Sequence, residues 1–497
     1  MNTNNKTFWS SQDDDETLTE NLDRAFKSTG SAVLDLFSRG GAYRSRTDDD
    51  CNALFSKAFY EDEDLALKCL FYLRDARGGM GERRFFRTVL KFIANVRPDI
   101  VAKIVKSIPE FGRWDDLLVL LGTGAEKDAV GIIKQQLADD MTSSDSVSLL
   151  GKWMPSAVTS SKATVRDAMR MMRFLGMRPK EYRQMLSALR GKIRIVESRM
   201  SANQWSAIDY EHVPSKANLK HAKAFKKHDD ARYTAYLEEV KAGTKKINAG
   251  VVYPNEIARK ILRGDAGNPA LDALWNNLPD YAGSQNAIVM ADTSGSMQDL
   301  QQDPKAKERI DGRMLPMSIS VGLALYFAER NKNPAFNGHF LTFSGEPELQ
   351  EVTGGTIAEK ITNLSKAHWE QNTDLRLAFG IMLDRARSAG VPPEEMPRVV
   401  YVISDMQFDS AFEGDSSTYE DVGKMYAAAG YQLPAVVFWQ VNAFRSNSPV
   451  KVKDPNTILV SGTSPVAFRF VMEATDRTPI GFMNQVLSSE RYAAITA

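Results

Sequence analysis

The feature that most constrains this chain is a change of periodicity near Ser284. From about Asn21 to Arg263, apolar residues recur three or four apart, as in "EDLALKCLFYLRDA", "RRFFRTVLKFIANV" and "ATVRDAMRMMRFLGM", and strand-like alternation is almost absent. That pattern predicts helices of ordinary length joined by short turns. Beyond Ser284, continuous apolar runs such as "NAIVMAD", "RVVYVISD", "PAVVFWQVN" and "TILVSG" alternate with amphipathic segments such as "NTDLRLAFGIMLDRARSAG". Runs that are apolar at every position suit strands buried on both faces. This half therefore predicts a mostly parallel, doubly wound α/β sheet. The expected organisation is a fraying tail over 1–20, an all-α array over 21–265, a linker rich in Gly, Pro and Asn over 266–283, and an α/β domain over 284–497. The array suits a solenoid of degenerate HEAT-like repeats, open or closed into a ring, although no fixed period is visible.

A length of 497 residues favours two cores over one, and 43% hydrophobic with 25% charged residues is the balance of a soluble globular protein. The longest apolar stretch, "MLPMSISVGLALYFAER", is interrupted by polar residues before the roughly 20 needed to cross a bilayer, so no membrane span is expected. The polar, acidic start lacks the basic and apolar segments of a signal peptide. Only Cys51 and Cys69 are present, and they read as free thiols in a reducing, cytoplasmic setting. The net charge of zero conceals an asymmetry: residues 151–265 hold 24 Lys and Arg against 11 Asp and Glu, and residues 284–497 hold 19 against 25. A basic middle beside an acidic C-terminal part implies either a polyanion surface or charge-assisted docking of the two parts.

The stretch "VMADTSGSM" carries Asp292, Ser294 and Ser296 past the end of the first such run. Alternate residues of an extended loop point the same way, so one carboxylate and two hydroxyls can converge. Hard oxygen donors suit Mg²⁺ or Mn²⁺ and not zinc, while a helix-capping turn explains the same residues without a metal. Two later segments bear on the choice: Thr373 in "QNTDL" precedes a helix, and Asp405 follows the apolar run "VVYVIS". Both fall on the same predicted sheet edge. D-x-S-x-S, then a threonine, then an aspartate after a later strand resemble the metal-ion-dependent adhesion site (MIDAS) of a von Willebrand factor A domain. The resemblance implies that Asp292, Ser294, Ser296 and Thr373 coordinate a divalent cation directly or through water, with Asp405 acting mostly through water. That family usually places Gly shortly before the threonine, whereas Gln371 and Asn372 stand here. Such a site leaves a coordination position for a ligand's oxygen. No His, Cys or Lys accompanies the triplet as a base, so binding is expected and catalysis is not. His339 reads as a core or edge residue, and His368 as a neighbour of the threonine loop.

In the helical half, "LRDARGGMGERRFF", "FGRWDDLL", "KWMPS", "YRQMLSALR" and "VESRMSANQWSAIDYEHVPSKANLKHAKAFKKHD" resemble a family of cytosolic proteins of plants, microbes and large viruses. That family joins a helical half to a von Willebrand A domain, and is similar to the Ro ribonucleoproteins with their TROVE module. The resemblance runs from about Asp64 to Leu487. It implies binding of structured or single-stranded RNA, with no RNA contact transferable residue by residue.

The residues supply their own reading. Lys216, Lys220, Lys223 and Lys227 follow Ser215, a candidate N-cap, at spacings that place them in one stripe at about 100° per residue. Arg183, Arg190 and Arg194 line up likewise, opposite Leu186, Leu189, Ile193 and Val196, although Gly191 weakens that helix. These stripes suit either a phosphate backbone or solvent, and Phe225 and Tyr233 either stack on bases or lie in the core. "RDARGGMGERR" lacks the Lys-Ser/Thr of a phosphate loop and reads as a helix-ending turn. The leading expectation is a non-catalytic RNA-binding protein with a Mg²⁺ docking site. The alternative is a protein-interaction scaffold whose cation captures a partner's acidic side chain.

Overall fold

The computed structural model describes residues 16–19, 24–143, 147–284, 286–298, 315–333, 336–342, 348–364, 375–388, 390–408, 418–443 and 447–497. Its N-terminal half is helical and its C-terminal half is built on a six-stranded sheet.

Two short strands, β1 (Glu16–Leu18) and β2 (Arg24–Phe26), precede the helices as an antiparallel pair. Helical patterning alone was expected from Asn21 onward. The cause is tertiary: Phe26 exchanges backbone hydrogen bonds with Ser448, and Thr19 donates its hydroxyl to the Phe408 carbonyl. Helix starts follow ordinary capping chemistry. Ser31, Thr47, Asp62 and Ser161 accept from backbone N–H groups of the first turns of the helices that follow them. The Gly-rich segment is a turn, as its composition predicts: the Asp75 carboxylate accepts from the Arg77 and Gly78 N–H groups. Cys51 and Cys69 are buried free thiols, and burial pushes the Cys51 pKa up to about 12.

The large sheet comprises β3 (Ala287–Ala291), β4 (His339–Thr342), β5 (Leu349–Glu351), β6 (Val399–Ser404), β7 (Ala435–Gln440) and β8 (Thr457–Ser461), in the order β5-β4-β3-β6-β7-β8. All neighbours are parallel except the edge strand β5, which is antiparallel to β4. Strands β3, β6, β7 and β8 are buried at every position, which explains their continuous apolar runs, with polar residues only at strand ends. From β3 the chain moves one way to β4, then crosses back to β6, β7 and β8. With right-handed crossovers, the reversal places helices on both faces and puts a topological switch between β3 and β6.

The stretch read as too interrupted to span a membrane contains the helix Leu315–Ala328, buried at all its positions. It packs on β3 and β4 and against the helix Pro254–Leu262 of the helical half. Among the described residues no helix is long and apolar enough to cross a membrane. At the other end of the helical half, Ala32–Arg39 lies on β8: Ser461 donates its hydroxyl to the Phe37 carbonyl and accepts from the Gly41 N–H. The chain's C-terminal segment closes back as well, with Arg491 paired to the buried Asp75. Buried apolar residues form one cluster running from Val33 to Ile495.

Gly322 sets the distance between the two buried helices. A Cβ there would lie 2.9 Å from backbone atoms of Pro254 and Asn255, which cannot rotate away. Gly131, inside the helix Glu126–Thr142, has open space instead. In chemical denaturation, Gly322→Ala is expected to destabilise by about 1–3 kcal/mol, and Gly131→Ala to stabilise by about 0.5–1 kcal/mol.

Candidate functional site

The switch point places Asp292, Ser294 and Ser296, three of the predicted oxygen donors, in one hydrogen-bonded loop. Ala291, at the end of β3, is in register with Ile403 of β6, and the Asp292 N–H donates to the Ile403 carbonyl at 3.0 Å. Asp292 therefore lies beside Ser404, whose hydroxyl donates to Asp292 Oδ2 at 2.6 Å. The other carboxylate oxygen, Oδ1, accepts from the Ser294 N–H at 2.9 Å, which folds the loop back over the strand end. Ser294 and Ser296 then place their hydroxyl oxygens 3.1 Å apart. Two adjacent ligands of an octahedral ion at about 2.1 Å are separated by about 3.0 Å, so the hydroxyls already have that spacing.

Asp405 follows Ser404 at the mouth of β6 and is buried, as is Asp292. Its Oδ1 accepts from the Gln407 N–H at 3.3 Å. Met406, the next residue, has φ +65, a left-handed conformation uncommon for a non-glycine side chain. The Ser404 hydroxyl accepts from the Met406 N–H, and Asn447 donates to the Met406 carbonyl. The loop that presents Asp405 is thus pinned from two sides. Ser296 is half-buried and Gly295 exposed, so solvent reaches the group from that side. Thr373, with Gln371, Asn372 and His368, lies outside the described residues. Among the described residues no three His, Cys, Asp or Glu side chains cluster as a metal site, and this group offers two carboxylates with hydroxyls. His339 is part-exposed on β4 with Nδ1 at 2.8 Å from the Asn337 carbonyl. Trp439 is buried, its indole N–H donating to the Gly462 carbonyl.

The second candidate surface is cationic. Lys216, Lys220, Lys223 and Lys227 are all exposed on the helix Ser215–His228, whose opposite face buries Ala217, Asn218, Leu219, Ala222 and Phe225. The N-cap is Pro214, and Ser215 is the buried first residue of the helix, a correction to the expected cap. Lys216 pairs with Glu256 at 2.9 Å and Lys223 with Asp265. Burial pushes the Asp265 carboxyl up, but hydrogen bonds from Lys223 and Lys260 outweigh it and hold the group below its ordinary value. Lys220 and Lys227 make no ion pair among the described residues, so the stripe divides into neutralised and available charges.

The other expectations change more. Phe225 and Tyr233 sit in a buried cluster with Tyr210, rings 4.9–5.4 Å apart, and are not base stackers. Arg190 is half-buried in the helix Pro179–Ile193 and donates to the carbonyls of Gly151 and Met154 at 3.0 Å each and to the Ser156 hydroxyl. Its role is to fasten the Gly151–Ser156 segment. The helix continues through Gly191 to Ile193, and Arg194 ends it in a left-handed conformation, off the helical stripe. Arg183 remains exposed.

Sequence reasoning missed one cationic face. On the helix Lys162–Leu175, Lys162, Arg166 and Arg173 are exposed and, with Arg170, line a groove of about 650 Å³ floored in part by Val165 and Phe174. Arg170 is held by Glu126. Offsets of 4, 8 and 11 from Lys162 would have revealed it by the arithmetic applied to the lysines.

An uncharacterized protein of Acanthamoeba polyphaga mimivirus is 28% identical over 95% of this chain and 87% of its own length. The crystal structure of the Deinococcus radiodurans RO (RSR) protein is similar at 14% identity and a TM-score of 0.38, over 88% of this chain and 92% of that one. Residues 286–486 match a family described as Domain of unknown function (DUF7788). Residues 19–138 and 159–301, more than half of the chain, match Domain of unknown function (DUF2828), and the chain belongs to that family.

Proposed function

We propose that this protein is a non-catalytic, cytoplasmic RNA-binding protein that holds structured or single-stranded RNA on basic helices of its N-terminal half. The observation that carries the reading is the lysine helix: four exposed ammonium groups on one face, with Lys220 and Lys227 outside any ion pair among the described residues. A row of cations about 16 Å long, at 1.5 Å per residue, suits a repeating phosphate backbone better than a small anion. The arginine face on Lys162–Leu175 extends the same chemistry. In this reading the helices form a repeat array of the TROVE kind.

The α/β half supplies a separate docking point. Asp292, Ser294 and Ser296 would hold Mg²⁺ or Mn²⁺, with Asp405 acting through water, as in a von Willebrand A domain. Thr373 stays part of the proposed set on the sequence pattern alone. When bound, the ion supplies a positive centre with a coordination position for an acidic oxygen. The oxygen spacing and the switch-point location support it. These same residues favour the second reading, in which the cation captures an Asp or Glu of a protein partner and the helices are architecture.

Titration with single-stranded RNA across a salt series tests the first reading. Replacing Lys220 and Lys227 with Glu is expected to weaken binding and flatten the log–log salt slope by about 0.7 for each phosphate no longer neutralised. Absence of RNA affinity at low salt rejects the proposal. Arg190→Ala is expected to lower stability by about 2 kcal/mol, through removal of charge-assisted hydrogen bonds, while leaving the salt slope unchanged. Thermal unfolding with and without Mg²⁺ tests the cation. The wild type should gain about 2.7 kcal/mol at a Mg²⁺ concentration 100 times Kd, a gain abolished by chelator and by Asp292→Ala. Equal gains in both proteins would place the ion elsewhere.

A further inference from the structure

One aromatic pair in the basic region lies at the margin of the core. Trp205, in the short turn Trp205–Ala207, stacks on His228, the last residue of the lysine helix, with ring centroids 4.4 Å apart and planes 4° from parallel. His228 is exposed and Trp205 half-buried, whereas Tyr210, Phe225, Tyr233 and Tyr236 nearby are buried among one another.

The indole is held firmly. Its N–H donates to Asn203 Oδ1 at 2.6 Å, and Asn203 adopts a left-handed φ of 57°. Arg232 donates to the Trp205 carbonyl at 3.3 Å and the Ile208 carbonyl at 2.8 Å, while its own position is set by Asp229 at 2.9 Å. Trp205 is partly buried against the core and His228 is exposed, so the two rings meet at the surface margin. They form a rigid platform whose loss of rotational freedom is met on folding and not on binding. Lys226 and Lys227 are exposed on the preceding positions, about a quarter turn around the helix for the nearer one.

We propose that the Trp205–His228 stack is a platform on which an unpaired nucleobase stacks, while Lys227 and Lys220 hold phosphates of the same strand. This rests on the RNA reading and specifies its ligand: a single-stranded segment with accessible bases, in preference to a duplex. A purely electrostatic surface treats every polyanion of equal charge density alike. An aromatic platform distinguishes strands that carry exposed bases, and tolerates any base because each has a π face.

The test uses the full-length protein and fluorescence anisotropy with labelled 12-nucleotide single strands of RNA and of DNA, a blunt duplex, and a strand with abasic positions. Inorganic polyphosphate serves as the competitor without bases. Wild-type protein should prefer the single strands over the abasic strand and the duplex. Relative RNA and DNA affinities identify which strand is the better source of the base. Trp205→Ala should weaken single-strand binding about 5- to 100-fold, leave the salt slope unchanged and leave polyphosphate competition unchanged. Trp205→Phe should recover most of the affinity. His228→Ala, at an exposed position, should act in the same direction and serves if Trp205→Ala fails to fold. Equal wild-type affinity for intact and abasic strands, or unaltered single-strand affinity in a folded Trp205→Ala or His228→Ala protein, overturns the platform while the lysine variants still report on RNA binding. No affinity for any strand at low salt overturns both.

Discussion

The Leu315–Ala328 helix has no solvent face, and that constraint joins the two halves of the molecule. A helix apolar all round must be enclosed on every side, and neither a sheet nor a neighbouring helix alone can do so. One side lies on β3 and β4, and another receives the Pro254–Leu262 helix so closely that Gly322 leaves no room for a methyl group. The same helix touches the Gly295–Gln298 turn, which contains Ser296. The candidate oxygen site therefore rests on an element whose packing includes the helical half. Burial of such a helix is worth several kcal/mol even after conformational entropy is subtracted, since each fully buried Leu, Ile or Phe contributes about 1.5–3 kcal/mol. Dividing the chain between Gly264 and Ser284 would expose that surface.

Electrostatics in the basic region follow from pairing more than from composition. Equal totals of acid and base conceal a surplus of cations before residue 265. Much of that surplus is consumed locally: Arg190 on carbonyls, Lys216 on Glu256, Lys223 on Asp265, Arg170 on Glu126. Exposed pairs of this kind are worth about 0–1 kcal/mol, so a phosphate competes for such a lysine at little loss. Arg190 is different. Its three hydrogen bonds close off carbonyls and a hydroxyl inside the fold, and its guanidinium, lowered in pKa first by burial, is not available to a strand. Counting cations along a helix overestimates a binding surface wherever one of them faces a loop.

Much of the architecture was legible because it depends on periodicity. Strands buried on both faces read as "AIVMA" and "VVYVIS", and helices as spacings of three and four, whatever surrounds them. The convergence of Asp292 with Ser294 and Ser296 was also legible, since alternate loop residues share a side. Long-range pairing was not. Nothing local in "RAF" announces a strand completed by Ser448, and nothing in "ALRGK" says whether Arg190 faces solvent or the carbonyl of Gly151. Phe225 and Tyr233 illustrate the same limit: an aromatic residue near lysines is equally a core residue until its neighbours are known, and here Tyr210 is the neighbour. The Trp205–His228 stack joins residues from two segments, one a three-residue turn, so no single period contains it.

Two stretches of the sheet's carboxyl edge differ in their chemistry. At β7 and β8 the edge is covered from within: Gly41 on Ser461, Arg44 on Thr463, and Ala443 on the Ala42 carbonyl. Those contacts place backbone and side-chain dipoles where, in a doubly wound fold, a ligand's polar groups would otherwise sit. At β3 and β6 the edge carries acidic and hydroxyl side chains: Asp292 accepts from the Ser294 N–H and the Ser404 hydroxyl, the Ser294 and Ser296 hydroxyls lie 3.1 Å apart, and Asp405 accepts from the Gln407 N–H. Both carboxylates are buried, which costs several kcal/mol per ion unless hydrogen bonds offset it, and the donors just named do so. Neutral strand ends need few partners, whereas a buried acidic strand end requires several donors to converge on it, and here the Ser404 hydroxyl and the Ser294 and Gln407 N–H groups supply them.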